Sequence, residues 1–206
     1  METKSKTFSF WLEPPFNLLC SGITNCGKTH YILDLLETVY KGKFDYIVVY
    51  CPTYLVNKTY EREFLNKDNV IIIKWDYNYL DELLQINMKH FANTKTLFLI
   101  DDCANLHDSK IKESAISQLA FHGRHYGIST WIITQKYNAI VKDFRDNIRM
   151  LILFFDKDRD SMKSAFIENH VIPVELHNEV MDKLKQEKTK LIVRVQQPFS
   201  YLIISK

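Results

Sequence analysis

The chain has 206 residues, a formal net charge of +2, 46% hydrophobic residues and four cysteines. Such a length buries most of the surface of the unfolded chain, so no disulfide or metal staple is needed, and so mild a charge does not assign a nucleic-acid partner. No apolar run approaches the roughly 20 residues of a membrane span, and METKSKTFSFWLEPP lacks the apolar stretch of a secretory signal. Cys20, Cys26, Cys51 and Cys103 show neither C-x-x-C nor zinc spacing, which favours a reduced, intracellular protein. No repeat, low-complexity tract or Pro/Gly linker divides the chain, and residues 1–206 read as a single domain.

In chain order, short dense apolar runs recur at 16–22, 45–52, 69–75, 96–102, 129–135, 150–155, 190–195 and 201–205. Continuous Val/Ile/Leu-rich runs suit strands buried on both faces of a mostly parallel sheet. Helical spacing lies between them. Ile32, Leu33, Leu36, Val39 and Tyr40 form one stripe, with Gly42 as a helix stop. Leu80, Leu83, Leu84 and Met88 form a second stripe, and Ile111, Ala115, Ile116, Leu119 and Ala120 a third, followed by helices expected over 138–147, 159–169 and 173–187. The expected fold is α/β, a mostly parallel central sheet with helices on both faces, closed by a C-terminal antiparallel hairpin across Gln196-Gln197-Pro198.

The stretch LLCSGITNCGKTH contains Gly22, Gly27, Lys28 and Thr29 in the pattern G-x-x-x-x-G-K-[ST], between an apolar strand and an amphipathic helix. Inward-pointing backbone N–H groups and a helix N-terminus offer donors and partial positive charge to a polyphosphate, and glycine permits the close approach. The stretch Gly22, Ile23, Thr24, Asn25, Cys26, Gly27, Lys28, Thr29 and His30 is therefore expected to bind ATP. Lys28 would reach the β and γ phosphates, and the Thr29 hydroxyl would ligate Mg2+. Ligands in open α/β sheets sit above the carboxyl ends of strands, and TLFLI ends in Asp101 and Asp102. Asp101 would hold Mg2+ through water, and Asp102 would orient and deprotonate the attacking water. Gln135, ending STWIITQ, would contact the γ phosphate or the water.

The order G-I-T-N-C-G-K-T, L-F-L-I-D-D and G-R-H-Y-G-I-S-T-W-I-I-T-Q resembles the FtsK-HerA superfamily of ring-shaped DNA-pumping ATPases. Within it the match is to the poxvirus-type genome-packaging ATPases, a group that also occurs in Polinton/Maverick elements and virophages. It covers roughly residues 16 to 155, and its specific part is an arginine eleven positions before a strand-ending glutamine. The resemblance implies a P-loop NTPase of RecA/FtsK-like fold, and a homohexameric motor threading double-stranded DNA into a capsid, with capsid or portal/vertex proteins as partners. It also implies work at sites of virion assembly, in host cytoplasm or nucleus, and an arginine reaching the γ phosphate of the adjoining subunit. Arg124 matches that arginine by position, and Arg149 is a second candidate. A guanidinium there stabilises charge on the transferring phosphoryl group. Lys58, Arg62, Lys110 and Lys112 are candidate duplex contacts.

Asp156, Asp158 and Asp160 imitate a calcium loop, but Ser161 and Ile167 stand where glycine and glutamate are needed, so acids at a helix start explain them better. His122 and His125 lack a third metal ligand. Two other readings stay open: a nucleotide or nucleoside kinase, though no arginine-rich lid is evident, and a non-hydrolysing, ATP-gated assembly protein.

Overall fold

The computed structural model describes residues 10–73, 94–101, 109–195 and 201–205, with positions 82, 85, 86 and 89. The stripe Leu80, Leu83, Leu84 and Met88 lies outside the described residues, as does Cys103. The strands are β1 (Leu18–Ser21), β2 (Tyr46–Tyr50), β3 (Val70–Ile73), β4 (Thr96–Asp101), β5 (Ile128–Thr134), β6 (Met150–Phe154), β7 (Lys190–Arg194) and β8 (Tyr201–Ser205). They form one eight-stranded sheet in the order β3-β2-β4-β5-β1-β6-β7-β8. All pairings from β3 to β6 are parallel, and β7 and β8 add an antiparallel edge, so the expected sheet and C-terminal hairpin are both present.

Every residue of β1, β4, β5 and β6 is buried, which is why their sequences read as continuous apolar runs. Successive side chains still divide between two faces. Leu19, Leu151, Leu153 and Val193 enter one core, and Leu18, Cys20, Met150, Ile152 and Ile192 the other. Helix α1 (Lys28–Glu37) closes the second core with Ile32, Leu33, Leu35 and Leu36. The first is closed by α2 (Ser109–His122) through Leu119, α3 (Lys142–Asp146) through Phe144, α4 (Arg159–Glu168) through Phe166 and α5 (His177–Gln186) through Leu184. Each such fully buried side chain stabilises the fold by about 1.5–3 kcal/mol.

Two helices depart from their expected limits. Helix α1 stops at Glu37, a turn before Gly42: Thr38 Oγ1 donates to the Asp34 carbonyl at 2.6 Å, and the chain loosens beyond it. That release lets Tyr40 join Trp131, Phe16 and Phe44, with ring centroids 5.0, 5.7 and 6.2 Å from its own. The segment 138–147 is broken into a 3-10 turn, Tyr137–Ala139, and the short α3, because Ile140 and Val141 are extended between them. Burial of Ile140 in the core outweighs the helical spacing.

Register does the positioning. Asp101 of β4 pairs with Ile133 of β5, and Ser21 of β1 pairs with Thr134 of β5. The ends of β4, β5 and β1 therefore fall side by side on one edge of the sheet.

Candidate nucleotide-binding site

The turn between β1 and α1 depends on two glycines. Gly22 has φ 156°, and a Cβ there would lie 2.5 Å from Phe154 Cβ, so the strand and turn could not pack so closely with any other residue. Gly27 has φ 94° and is the residue preceding α1. The turn is pinned by Gly22 N–H donating to the Thr134 carbonyl at 3.3 Å and Ile23 N–H to the Phe155 carbonyl at 3.3 Å. No side chain caps α1, and its first turn carries no acidic residue, so its leading N–H groups and dipole are left for an anion.

Lys28 is buried, and its Nζ donates to the Ile23 carbonyl at 2.8 Å, folding back across the turn. Cys26 Sγ lies 3.9 Å from the same nitrogen. Burial pushes the Cys26 thiol up, despite the opposing Lys28 charge, so it remains a protonated small side chain, in keeping with a packing role. Thr29 Oγ1 donates to Asp101 Oδ2 at 2.9 Å, joining the first turn of α1 to the end of β4. Thr24, Asn25, Lys28, Thr29, Asp101, Thr134 and Gln135 line one cleft, with Thr53 and Asn57 on its far wall. The structure thus brings the loop, the first aspartate and Gln135 together. Asp102 lies outside the described residues. A larger groove, beside Leu36, Tyr40, Gly42, Phe64 and Val70, is lined by neither the turn between β1 and α1 nor Asp101 or Gln135.

Three expected residues stand apart from this cleft. The exposed His30 side chain points to Asp34, 3.3 Å away, and to Arg62, 3.0 Å away, leaving only its backbone at the helix start. Arg124 sits half-buried in the 3-10 turn Gly123–Tyr126, which leads into β5, and Arg149 directly precedes β6. Both are at the amino ends of their strands, opposite the edge where β5 runs into the cleft residues Thr134 and Gln135. The seven residues of β5 put about 20 Å between those edges. Among the described residues no arginine lines the cleft.

Other expectations resolve locally. Asp158 is the N-cap of α4, accepting from Ser161 N–H at 3.1 Å, and Asp160 lies in its first turn, so the acidic run is a helix start. The described residues include no group of three or more His, Cys, Asp and Glu placed to hold a metal, and His122 and His125 are exposed. Arg62 is no free duplex contact: its guanidinium binds Asp34 at 2.7 Å and also Glu37, both on α1. Lys58 is exposed, while the side chains of Lys110 and Lys112 lie outside the described residues.

Sequence reasoning missed the segment after β2, which supplies Thr53 and Asn57 to the cleft and Tyr60 to Asp101. Tyr60, in the 3-10 turn Lys58–Tyr60, donates its hydroxyl to Asp101 Oδ2 at 2.6 Å and is only 3% exposed. Nothing in CPTYLVNKTYER marks these positions. Only the adjacency of β2 and β4 shows that residues following β2 return to the same edge.

Thr29 and Asp101 are hard oxygen donors within 2.9 Å of one another, and this pair fits the oxygen chemistry of Mg2+. Among the described residues no helix is long and apolar enough to cross a membrane.

The model of the Poxvirus A32 protein family matches residues 6–195. No curated relative matches the sequence. Among solved structures, the genome packaging NTPase B204 from Sulfolobus turreted icosahedral virus 2, in complex with AMPPCP, is 16% identical, with a TM-score of 0.67 over 95% of this chain and 99% of that one. EssC (ATPases 2 and 3) from Geobacillus thermodenitrificans gives 0.63 at 13% identity, covering 92% of this chain and 39% of that one. The pCW3 conjugation coupling protein TcpA gives 0.60 at 14% identity, covering 91% and 59%. These three likenesses establish the P-loop NTPase fold. With nearly its whole length matched by the family model, the chain belongs to the Poxvirus A32 protein family.

Proposed function

We propose that this protein is an ATP-driven motor that packages a viral or virus-like genome by moving double-stranded DNA into a capsid. The observation that carries the reading is the Thr29–Asp101 contact at 2.9 Å, beneath an uncapped helix start with Lys28 beside it. That arrangement supplies donors for a triphosphate and oxygens for its metal at one point. B204 is a genome packaging NTPase crystallised with an ATP analogue, which supports the same use of this fold.

In the proposed cycle the N–H groups of Gly27, Lys28 and Thr29 at the start of α1 would take the phosphates, and the Lys28 ammonium would leave the Ile23 carbonyl for the β and γ oxygens. Thr29 and, through water, Asp101 would hold Mg2+, which would supply charge neutralisation at the phosphates. Asp102 would take the proton of the attacking water, and Gln135 would hold the water or the γ phosphate from the end of β5. The missing cation would come from a second copy of the chain. Arg124 is the favoured donor and Arg149 the alternative, since both occupy the edge opposite their own cleft. A closed ring, six copies in the proposed form, presents that edge of each subunit to the next one's site. Residues 1–206 would act as one ATPase domain, at sites of virion assembly, with capsid or vertex proteins as docking partners.

The test is an ATPase assay with and without duplex DNA. Phosphate release stimulated by the duplex is expected. Transfer of the γ phosphate to a nucleoside monophosphate would replace the motor by a kinase, and full function of Asp102→Asn would replace it by a non-hydrolysing assembly protein.

A further inference from the structure

Asp101 Oδ2 receives two hydroxyl donors from different parts of the chain, Thr29 at 2.9 Å and Tyr60 at 2.6 Å. The threonine belongs to the proposed ATPase chemistry; the tyrosine does not. We propose that Tyr60 is a positioning residue, whose hydroxyl holds the Asp101 carboxylate in the orientation that receives the metal–nucleotide, a role that rests on the ATPase reading above.

Three observations carry this. First, the placement of Tyr60 is over-determined. Asn57 caps its 3-10 turn by accepting from Thr59 N–H at 3.0 Å, and the Tyr60 ring packs on Tyr54 with centroids 5.3 Å apart. Two residues on, Arg62 is tied to Asp34 on α1 at 2.7 Å, so the segment is fastened to the helix that carries Lys28 and Thr29. Second, the direction of the bond is fixed by its partners: at 2.6 Å the phenol O–H donates and the carboxylate oxygen accepts. Third, when the Thr29 hydroxyl turns to a metal, Oδ2 loses one of these two donors and keeps the other. Removing the Tyr60 hydroxyl would take a further donor from a carboxylate that is 4% exposed and loosen the orientation in which it serves as a ligand.

The experiment uses the full chain and Tyr60→Phe, which keeps the ring packing and removes one oxygen. Binding of a fluorescent, non-hydrolysable ATP analogue is titrated against Mg2+, and again in EDTA. Expected is a rise of about tenfold in the half-saturating Mg2+ concentration, an unchanged affinity in EDTA, and no further effect of Tyr60→Phe once Asp101→Asn is present. A wild-type Mg2+ dependence in Tyr60→Phe overturns the role, and so does a shift that persists with Asp101→Asn. As a second measurement that keeps the hydroxyl, 3-fluorotyrosine at position 60 should show a 19F shift on adding Mg2+ with the analogue and none with the analogue in EDTA. The absence of that difference also overturns it. A wild-type chain that binds no nucleotide at all would instead sink the ATPase reading.

Discussion

Two helices start side by side on the same edge of the sheet and use that start in opposite ways. Strands β1 and β6 are parallel neighbours, and α1 and α4 follow their carboxyl ends. At α4, Asp158 caps Ser161 N–H at 3.1 Å, Asp156 Oδ1 accepts from Asp158 N–H at 3.0 Å, and Asp160 sits in the first turn. At α1 the corresponding position is Gly27, no side chain caps the helix, and its first turn begins with Lys28. Both termini carry the same partial positive charge. The protein's own carboxylates satisfy one of them, while the other is kept open with a lysine beside it. An anion site is made here as much by withholding a cap as by adding ligands.

The largest effect that would sharpen this contrast concerns what the open start lacks. Arg124→Ala should keep ATP binding and lower turnover by about a thousandfold, with the defect in mixed assemblies appearing in the neighbouring subunit's site. A variant monomer hydrolysing ATP at the wild-type rate would show that the open start needs no borrowed cation. Next, Lys28→Ala should weaken ATP-analogue binding by about a hundredfold, measured by fluorescence titration, because a charged donor to phosphate is lost. Undiminished affinity would mean the N–H groups suffice alone. Gly22→Ala should then lower stability by about 2 kcal/mol in urea unfolding, since its Cβ would meet Phe154 Cβ at 2.5 Å. The smallest effect tests the closed start. Ser161 N–H, and then Lys136, hold the Asp158 carboxyl below the usual carboxylate range. A depressed folded-state value means that this stabilisation is present above about pH 4 and fades as pH falls through the lower value. Asp158→Asn should remove that acid-side loss from the pH dependence of the melting temperature while leaving ATP binding unchanged.

The legible features were those written in local chemistry. All eight apolar runs coincide with strands, most plainly β1, β4, β5 and β6, where every residue is buried in the sheet. The phosphate loop was legible because few residue types tolerate φ 94° at Gly27 or the approach to Phe154 at Gly22. Boundaries were less so. Tyr40 continues the apolar stripe of α1, yet it leaves the helix to meet Trp131, a partner ninety-one positions away that no window around α1 contains. Arg62 has the composition of a surface cation, and only the return of the 51–66 segment over α1 turns it into a structural ion pair with Asp34.

From the order of residues alone came the sheet class, the glycine turn that opens α1 and the aspartate opposite it, since each depends on a short run of neighbours or on a period of two. Tertiary structure alone decided which side chains share the cleft. Tyr60 reaches Asp101 across 41 positions because β2 and β4 are adjacent, while Arg124, eleven positions before Gln135, is carried to the opposite edge by a straight strand. The reason is geometric: a strand separates residues in proportion to the number between them, and strand order joins residues regardless of that number.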